Sequence, residues 1–318
     1  MATQREIRRR MGSIRNIRQI TKAMELIAVT RLRRAQQRVV ASRPYADKMR
    51  QVLGDLVERI VPPETEAQIE ARAEREAREL EHGYTDTETP HPLLERRPVS
   101  RLGVLLLTTD RGLCGALNSN ILRTALQYVY ARQNEGQAVE LIVVGRKGLQ
   151  AIGRLPLTLT AEFSGLGDYP ALNRISPIVR VATDAFTSRQ VDEVVLVYPR
   201  FVSTMTQTPT VVPLLPIQPP PREEGDTRVH QEADYIYEPD ARTVLAEILP
   251  RYVEVQVYQA VLELIASEFS SRMVAMRNAT DNAGELLDDL QLGYNKARQA
   301  TITREIIEVS AGANAFAK

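Results

Sequence analysis

The residues that could do chemistry are few and scattered. Thr108-Thr109-Asp110-Arg111-Gly112-Leu113-Cys114-Gly115 follows an apolar run and precedes a helical pattern, where a nucleotide loop would stand. Its spacing is neither G-x-G-x-x-G nor G-x-x-x-x-G-K-[ST]. The glycines therefore read as backbone geometry in a tight strand-to-helix turn. Cys114, the single cysteine, has no neighbouring base to make it a nucleophile. One cysteine also excludes an internal disulfide framework and a multi-cysteine metal site. His82, His91 and His230 fall in polar, Pro-adjacent or acidic segments and are poor candidates for a metal cluster. Glu285, Asp288 and Asp289 share one helical stretch, but adjacent helical positions face different ways, so a solvated face fits better than an acid–base pair. No Ser-His-Asp arrangement can be drawn. The expectation is a chain with no catalytic, cofactor-binding or metal-binding residues.

The elements that would have to position any site are of two kinds. In the middle of the chain, Val104–Thr108, Val139–Val144 and Val194–Tyr198 are short apolar runs of the type found in buried parallel strands. Asn118–Gln133, Arg146–Ile152 and Ile175–Gln190 fit the intervening helices, and the alternation predicts an α/β unit. Pro209–Pro221 reads as an edge strand leading into a loop. At 318 residues the chain has room for about two domains. Its 43% hydrophobic and 25% charged content is that of a folded protein.

The two ends are helical. Ile7, Met11, Ile14, Ile17, Ile20, Met24, Ala28, Leu32, Ala35 and Val39 recur at steps of three and four, predicting one apolar stripe. Pro44 either kinks this helix or opens a second one at Tyr45. Beyond Pro250, Leu262, Ile265, Phe269, Met273, Met276, Thr280, Ala283, Leu287, Leu290, Tyr294, Ala297 and Thr301 draw a heptad-like seam. A helix from there to the C-terminus would run on the order of 100 Å. It must pair, and the N-terminal helix is the obvious partner.

Net charge is +1, but its distribution is uneven. Residues 1–59 hold fifteen Lys/Arg and five Asp/Glu, while residues 64–98 and 223–240 are acidic. A basic arm fits an acidic partner (nucleic acid, a lipid surface or an acidic protein) or simply a solvated helix face. No run approaches the ~18 apolar residues of a membrane span, and the Arg-rich N-terminus lacks the apolar core of a secretory signal.

Four stretches together carry a specific resemblance. They are Ile20-Thr21-Lys22-Ala23-Met24-Glu25 through Arg31, Asp110–Gly115, Tyr235-Ile236-Tyr237-Glu238-Pro239-Asp240, and Ser267–Ala313. The last includes Arg272-Met273-Val274-Ala275-Met276, Ala279-Thr280-Asp281-Asn282, Tyr294-Asn295-Lys296-Ala297-Arg298-Gln299 and Ile302-Thr303-Arg304-Glu305-Ile306-Ile307-Glu308. With these motifs the chain resembles the gamma subunits of F-type ATP synthases over nearly its whole length, residues 64–89 excepted. The resemblance implies an α/β plus long-α fold: an antiparallel coiled coil of the N- and C-terminal helices with an inserted Rossmann-like domain. The corresponding division is 1–61 helix, 62–98 acidic insertion and linker, 99–240 α/β domain and 241–318 helix.

The resemblance also implies a function and partners. One such chain would sit as a non-catalytic rotor inside a ring of three alpha and three beta subunits. Its foot would bind the epsilon subunit and rest on the c-ring, peripheral to the cytoplasmic face of a cell membrane or its organellar equivalent. It implies contact with beta at Arg298, Gln299, Thr303, Glu305 and Glu308. It gives Met24 and Arg272 a part in tuning the shaft, though Met24 also fits a seam position. It places Tyr235, Tyr237 and Glu238 at the c-ring or epsilon contact, where an edge strand is the plainer reading of the tyrosines. The small uncharged C-terminal tip, Ala311–Ala317, suits a bearing. The 64–89 insertion fits a brake, a subunit contact or a solvated decoration. Chloroplast-type gammas carry a cysteine pair, so a single cysteine here excludes a thiol–disulfide switch within the chain.

Three other classes compete. A nucleic-acid binder would use the basic helix, but the interleaved apolar stripe commits that helix to packing. A Rossmann-class enzyme lacks its phosphate-loop glycines. A generic coiled-coil adaptor differs from a rotor only by the motif set.

Overall fold

The computed structural model describes residues 3–60, 91–218 and 237–316. Residues 64–89, Tyr235, His82 and His230 lie outside them. Two compact units are present. One draws on the described residues of Met1–Arg33, Leu113–Gly115 and Phe269–Lys318, the other on those of Arg34–Gly112 and Ala116–Glu268.

Two long helices bound the chain. The first, α1 (Gln4–Ile60), starts at a capping box. Thr3 Oγ1 accepts the Glu6 N–H at 3.4 Å, and the Glu6 carboxylate accepts the Thr3 N–H at 3.0 Å. It runs through Pro44 as one helix rather than restarting at Tyr45, with Val39, Ala46, Leu53 and Leu56 buried on both sides of the proline. The last element, α5 (Ala241–Phe316), begins before Pro250 and contains it. Asp240 caps it. Its carboxylate accepts the Thr243 N–H at 2.9 Å and the Thr243 hydroxyl at 2.7 Å, which holds its pKa below the ordinary value.

In the larger unit five strands form one sheet in the order β3-β2-β1-β4-β5. The strands are β1 (Arg101–Leu107), β2 (Ala138–Val144), β3 (Thr158–Phe163), β4 (Glu193–Phe201) and β5 (Gln207–Leu215). β1 pairs in parallel with β2 and β4, β2 pairs in parallel with β3, and β5 closes the far edge antiparallel to β4. The three apolar runs read from the sequence are the three inner strands. β3 was not foreseen, because this edge strand is mostly exposed and has no continuous apolar run. β5 carries Pro209 and Pro213, which an edge strand tolerates.

Three helices connect the strands: α2 (Leu117–Asn134), α3 (Arg146–Ile152) and α4 (Ser176–Thr187), the last with Pro177 in its first turn. α2 buries Leu117, Ile121, Ala125 and Val129, and α4 buries Ile178, Val179, Ala182 and Phe186. Gly145 separates β2 from α3 with φ +96°, and a Cβ there would lie 2.1 Å from the Thr108 carbonyl oxygen. Only glycine lets the two backbone segments approach so closely.

The early part of α5 belongs to this unit and is buried on several sides, with Leu249, Val253, Val257, Val261 and Ala266 inside. It is tied to β4 by polar bonds. Ser267 Oγ donates to the Pro199 carbonyl at 3.1 Å, and Glu263 accepts the Phe201 N–H at 3.0 Å.

In the smaller unit the start of α1 and the end of α5 run antiparallel. Arg18 lies over Gly284, Thr21 meets Thr280, and Glu25 meets Arg277, so each step forward on α1 matches a step back on α5. The seam departs from the expected stripe. Ile17 and Ile20 are exposed, and Thr21 and Glu25 are buried in their place. The sequence offers two adjacent stripes, and the polar one is inside because its groups find partners across the seam.

Candidate functional site

The turn after β1 lies where a ligand of this fold would bind. In this topology a dinucleotide would lie at the carboxyl ends of the strands, near where the strand order reverses. Here Asp110 accepts the backbone N–H groups of Arg146 at 3.1 Å and Gly165 at 2.9 Å. Arg111 pairs with Asp168 at 3.3 Å. Val261, Leu264 and Ile265 of α5 line the same crevice, which retains a cavity of about 40 Å³. That is room for a water or two. These bonds of Asp110 and Arg111 hold the turn together. Among the described residues no group of three or more His, Cys, Asp or Glu could hold a metal ion.

The smaller unit holds most of the residues implied as partner contacts. α1 begins at Gln4, so antiparallel pairing through Thr21 and Thr280 carries it only to about residue 297 of α5. The helix continues to Phe316. Arg298, Gln299, Thr303, Glu305 and Glu308 all lie on this unpaired continuation, and all are exposed. Arg298 and Glu305 share one stripe with Ile302 and Val309, at steps of four, three and four. Gln299, Thr303 and Ile306 form the adjoining stripe, and Glu308 flanks the first.

Ile302, Ile306 and Val309 are large, apolar and exposed, and sequence reasoning missed them. The sequence seam ends at Thr301, and the resemblance implies contact through the polar motif residues. The available signal was the start of the first helix: an apolar stripe on α5 beyond the reach of Gln4 has no partner within the pair. Together the two stripes form an apolar strip edged by a guanidinium, an amide and carboxylates. Such a surface can make charge-assisted hydrogen bonds at its rim and exclude water at its centre. The side chains of residues 312–316, including Asn314 and Phe316 of the expected bearing tip, lie outside the described ones.

Met24 and Arg272 stand within the paired region. Met24 is half-buried, in keeping with a position at the edge of the seam. Arg272 is buried, and its guanidinium lies 5.7 Å from the centre of the Phe269 ring. Arg31 of α1 lies 5.8 Å from the same ring. Phe269 is thus flanked by a cation from each helix.

Of the remaining residues implied as contacts, Tyr235 lies outside the described residues. Tyr237 is half-buried and Glu238 exposed, immediately before the Asp240 cap, in the larger unit. No described helix is long and apolar enough to cross a membrane.

Comparison with known proteins agrees with this picture. The family model described as ATP synthase matches residues 3–316. An ATP synthase gamma chain of Acidithiobacillus ferrooxidans is 47% identical over 99% of this chain and all of that one. Its counterpart in Roseiflexus castenholzii is 45% identical over the full length of both. That of Legionella pneumophila (strain Corby) is 41% identical over 99% of this chain and all of that one. Among solved structures, a chain of the Tetrahymena thermophila mitochondrial ATP synthase central stalk/c-ring superposes with TM-score 0.54 at 24% identity, covering 82% of this chain and 99% of that one. A chain of the Euglena gracilis mitochondrial ATP synthase rotor superposes with TM-score 0.55 at 20% identity, covering 94% and 98%. These two likenesses are of fold. With the family model matched almost end to end and relatives of equal length sharing nearly half its residues, the chain belongs to the ATP synthase gamma-chain family.

Proposed function

We propose that this chain is the non-catalytic central rotor of an F1Fo ATP synthase. Driven by proton or sodium flow through the c-ring, it would turn inside three alpha and three beta subunits and change the affinity of their catalytic sites in sequence. The observation that carries the reading is the end of α5: a helix that outruns its partner and exposes Ile302, Ile306 and Val309 beside Arg298 and Glu305. A monomer leaves such a strip in water at a cost, whereas a surrounding sleeve covers it.

In this reading Arg298, Gln299, Thr303, Glu305 and Glu308 contact beta, and Met24 and Arg272 set the coupling of the shaft to its surroundings. Tyr235, Tyr237 and Glu238 contact the c-ring or epsilon. Residues 1–61 and 241–318 form the shaft, 99–240 the foot, and 62–98 a linker that includes the acidic insertion. The protein would be peripheral to the cytoplasmic face of the membrane. Being an asymmetric chain within a three-fold ring, it makes the three catalytic sites inequivalent at every instant.

Reconstitution tests the proposal. Purified alpha and beta are mixed with this chain, resolved by size exclusion and assayed for ATP hydrolysis. One copy per ring, with multi-site ATPase activity that requires the chain, is the expected result. No co-elution and unchanged ATPase activity would overturn it.

A further inference from the structure

The start of α1 carries two apolar stripes side by side and buries the more polar one. Ile17, Ile20, Met24 and Ile27 step by three, four and three, the spacing of a coiled-coil seam. They do not form it. Ile20 is 59% exposed, while its neighbour Thr21 is 9% exposed. Ile17 and Ile27 are exposed like Ile20, and the buried line runs through Thr21, Glu25, Ala28 and Leu32. By area alone the choice is inverted. Burying an isoleucine favours the folded state by roughly 1.5–3 kcal/mol, whereas burying a hydroxyl or carboxylate is unfavourable unless it is bonded. Turning this part of α1 by one residue, about 100° around its axis, would exchange the two stripes.

The buried polar groups are bonded, and the bonds cross the seam. Thr21 Oγ1 and Thr280 Oγ1 are 2.8 Å apart. Each hydroxyl has one proton, and two arrangements use both. Thr280 donates to Thr21 while Thr21 donates to the Arg18 carbonyl at 3.1 Å, or Thr21 donates to Thr280 while Thr280 donates to the Met276 carbonyl at 2.8 Å. One turn along, the Glu25 carboxylate, almost wholly buried, accepts from Arg277 Nε at 3.3 Å and from Lys22 Nζ at 3.0 Å. A rotated α1 would send Thr21 and Glu25 to water and leave Thr280 and Arg277 facing isoleucine. A slip of one heptad would set Thr21 against Met273 or Leu287.

We propose that the Thr21–Thr280 and Glu25–Arg277 pairs fix the rotational setting and register of α1 against α5, and so hold the Ile17–Ile20–Met24–Ile27 stripe outward. They act as positioning residues: polar groups at seam positions select one packing among several that hydrophobicity alone would allow. The result is a shaft that presents a defined isoleucine stripe to its surroundings instead of consuming it internally.

The test uses the full chain. Thr280→Val with Arg277→Leu removes both cross-seam partners and leaves the α1 sequence untouched. Ile20→Cys reports the outward stripe, Leu26→Cys reports a face exposed in either setting, and Ala283→Cys, buried on α5, reports the seam in either setting. Maleimide labelling rates are read peptide by peptide by mass spectrometry, which keeps Cys114 separate. The proposal expects labelling at Ile20→Cys to slow at least tenfold in the double variant, Leu26→Cys to stay unchanged and Ala283→Cys to stay well below the Leu26→Cys rate. The conservative pair Thr280→Ser with Arg277→Lys keeps Ile20→Cys fast. An unchanged rate at Ile20→Cys in the Val/Leu variant would overturn the proposal. So would Ala283→Cys reaching the Leu26→Cys rate, since the pairs would then hold the helices together rather than choose a face.

Discussion

Arg277 Nε stands 3.3 Å from Glu25 Oε1, joining the last helix to the first at a carboxylate that is 5% exposed. Lys22 and then Arg277 hold that carboxylate's pKa below its ordinary 4.5, against the opposing effect of burial. A depressed folded-state pKa stabilises the fold above the unfolded value, and this contribution is lost as pH falls through the folded one. The melting temperature of the chain should therefore drop between about pH 5 and pH 3. Glu25→Gln should show a smaller drop over the same range and a lower melting temperature at neutral pH. Parallel curves for the two proteins would contradict the assignment.

Gly145 and Gly136 separate close approach from backbone strain. Both have positive φ, at +96° and +86°, but only at Gly145 would a Cβ meet an atom, the Thr108 oxygen at 2.1 Å. Gly136→Ala should cost about 1–2 kcal/mol from conformation alone. Gly145→Ala should cost more than about 4 kcal/mol, or prevent folding of the α/β unit. Urea midpoints measure both, and equal losses would refute the packing argument.

Glu263 of α5 faces the end of β4 in the larger unit. Burial pushes its pKa up, opposed by the Phe201 N–H and by the guanidinium groups of Arg200 and Arg43. Tyr198 nearby is pushed up to about 12, first by burial and then by the Glu263 charge. For an acid whose folded pKa is raised, stability falls as pH rises from the unfolded value through the folded one. Glu263→Gln keeps an acceptor for Phe201 and removes that charge, so it should be neutral or stabilising at pH 7. Glu263→Ala strands the Phe201 N–H and should cost about 1–3 kcal/mol. Denaturant titration of the two variants gives the comparison, and equal destabilisation would count against the hydrogen-bond account.

These positions show how far the sequence could be read. The inner strands were legible because residues 104–107, 141–144 and 194–197 are buried without a break and so are apolar throughout. β3 was not, because Thr158–Phe163 pairs on one side only and keeps a half-polar composition. Helix periodicity located α1 and α5 but could not choose between stripes at Ile20 and Thr21. That choice depends on Thr280 and Arg277, more than 250 residues away. The motif residues Arg298 to Glu308 were legible as types, while the apolar strip beside them emerged only once α1 was seen to end short of it.

Phe269, flanked by Arg31 and Arg272, offers a local stability test. Phe269→Leu retains apolar volume and removes the ring face. It should cost about 1–2 kcal/mol beyond the change in packing. Arg272→Gln in the Phe269→Leu background should then cost less than in the parent. A double-mutant cycle measures the difference, and additivity would show that the ring and the guanidinium do not interact.

The exposed contact residues should behave in the opposite way. Arg298→Ala with Gln299→Ala removes no side-chain hydrogen bond or ion pair among the described residues and should change chain stability by less than about 0.5 kcal/mol. In the assembled complex the same variant should weaken assembly or coupling. Unchanged ATP-driven ion pumping would refute their role, and Ile302→Ala with Ile306→Ala should be impaired in the same assay.

Rotation itself tests the central claim most directly. The complex of this chain with alpha and beta is fixed to a surface through beta, and a bead is attached to the α/β unit of this chain. On addition of ATP the bead should turn continuously in one direction, at a rate that follows hydrolysis. Sustained ATP hydrolysis with a stationary bead would contradict the account.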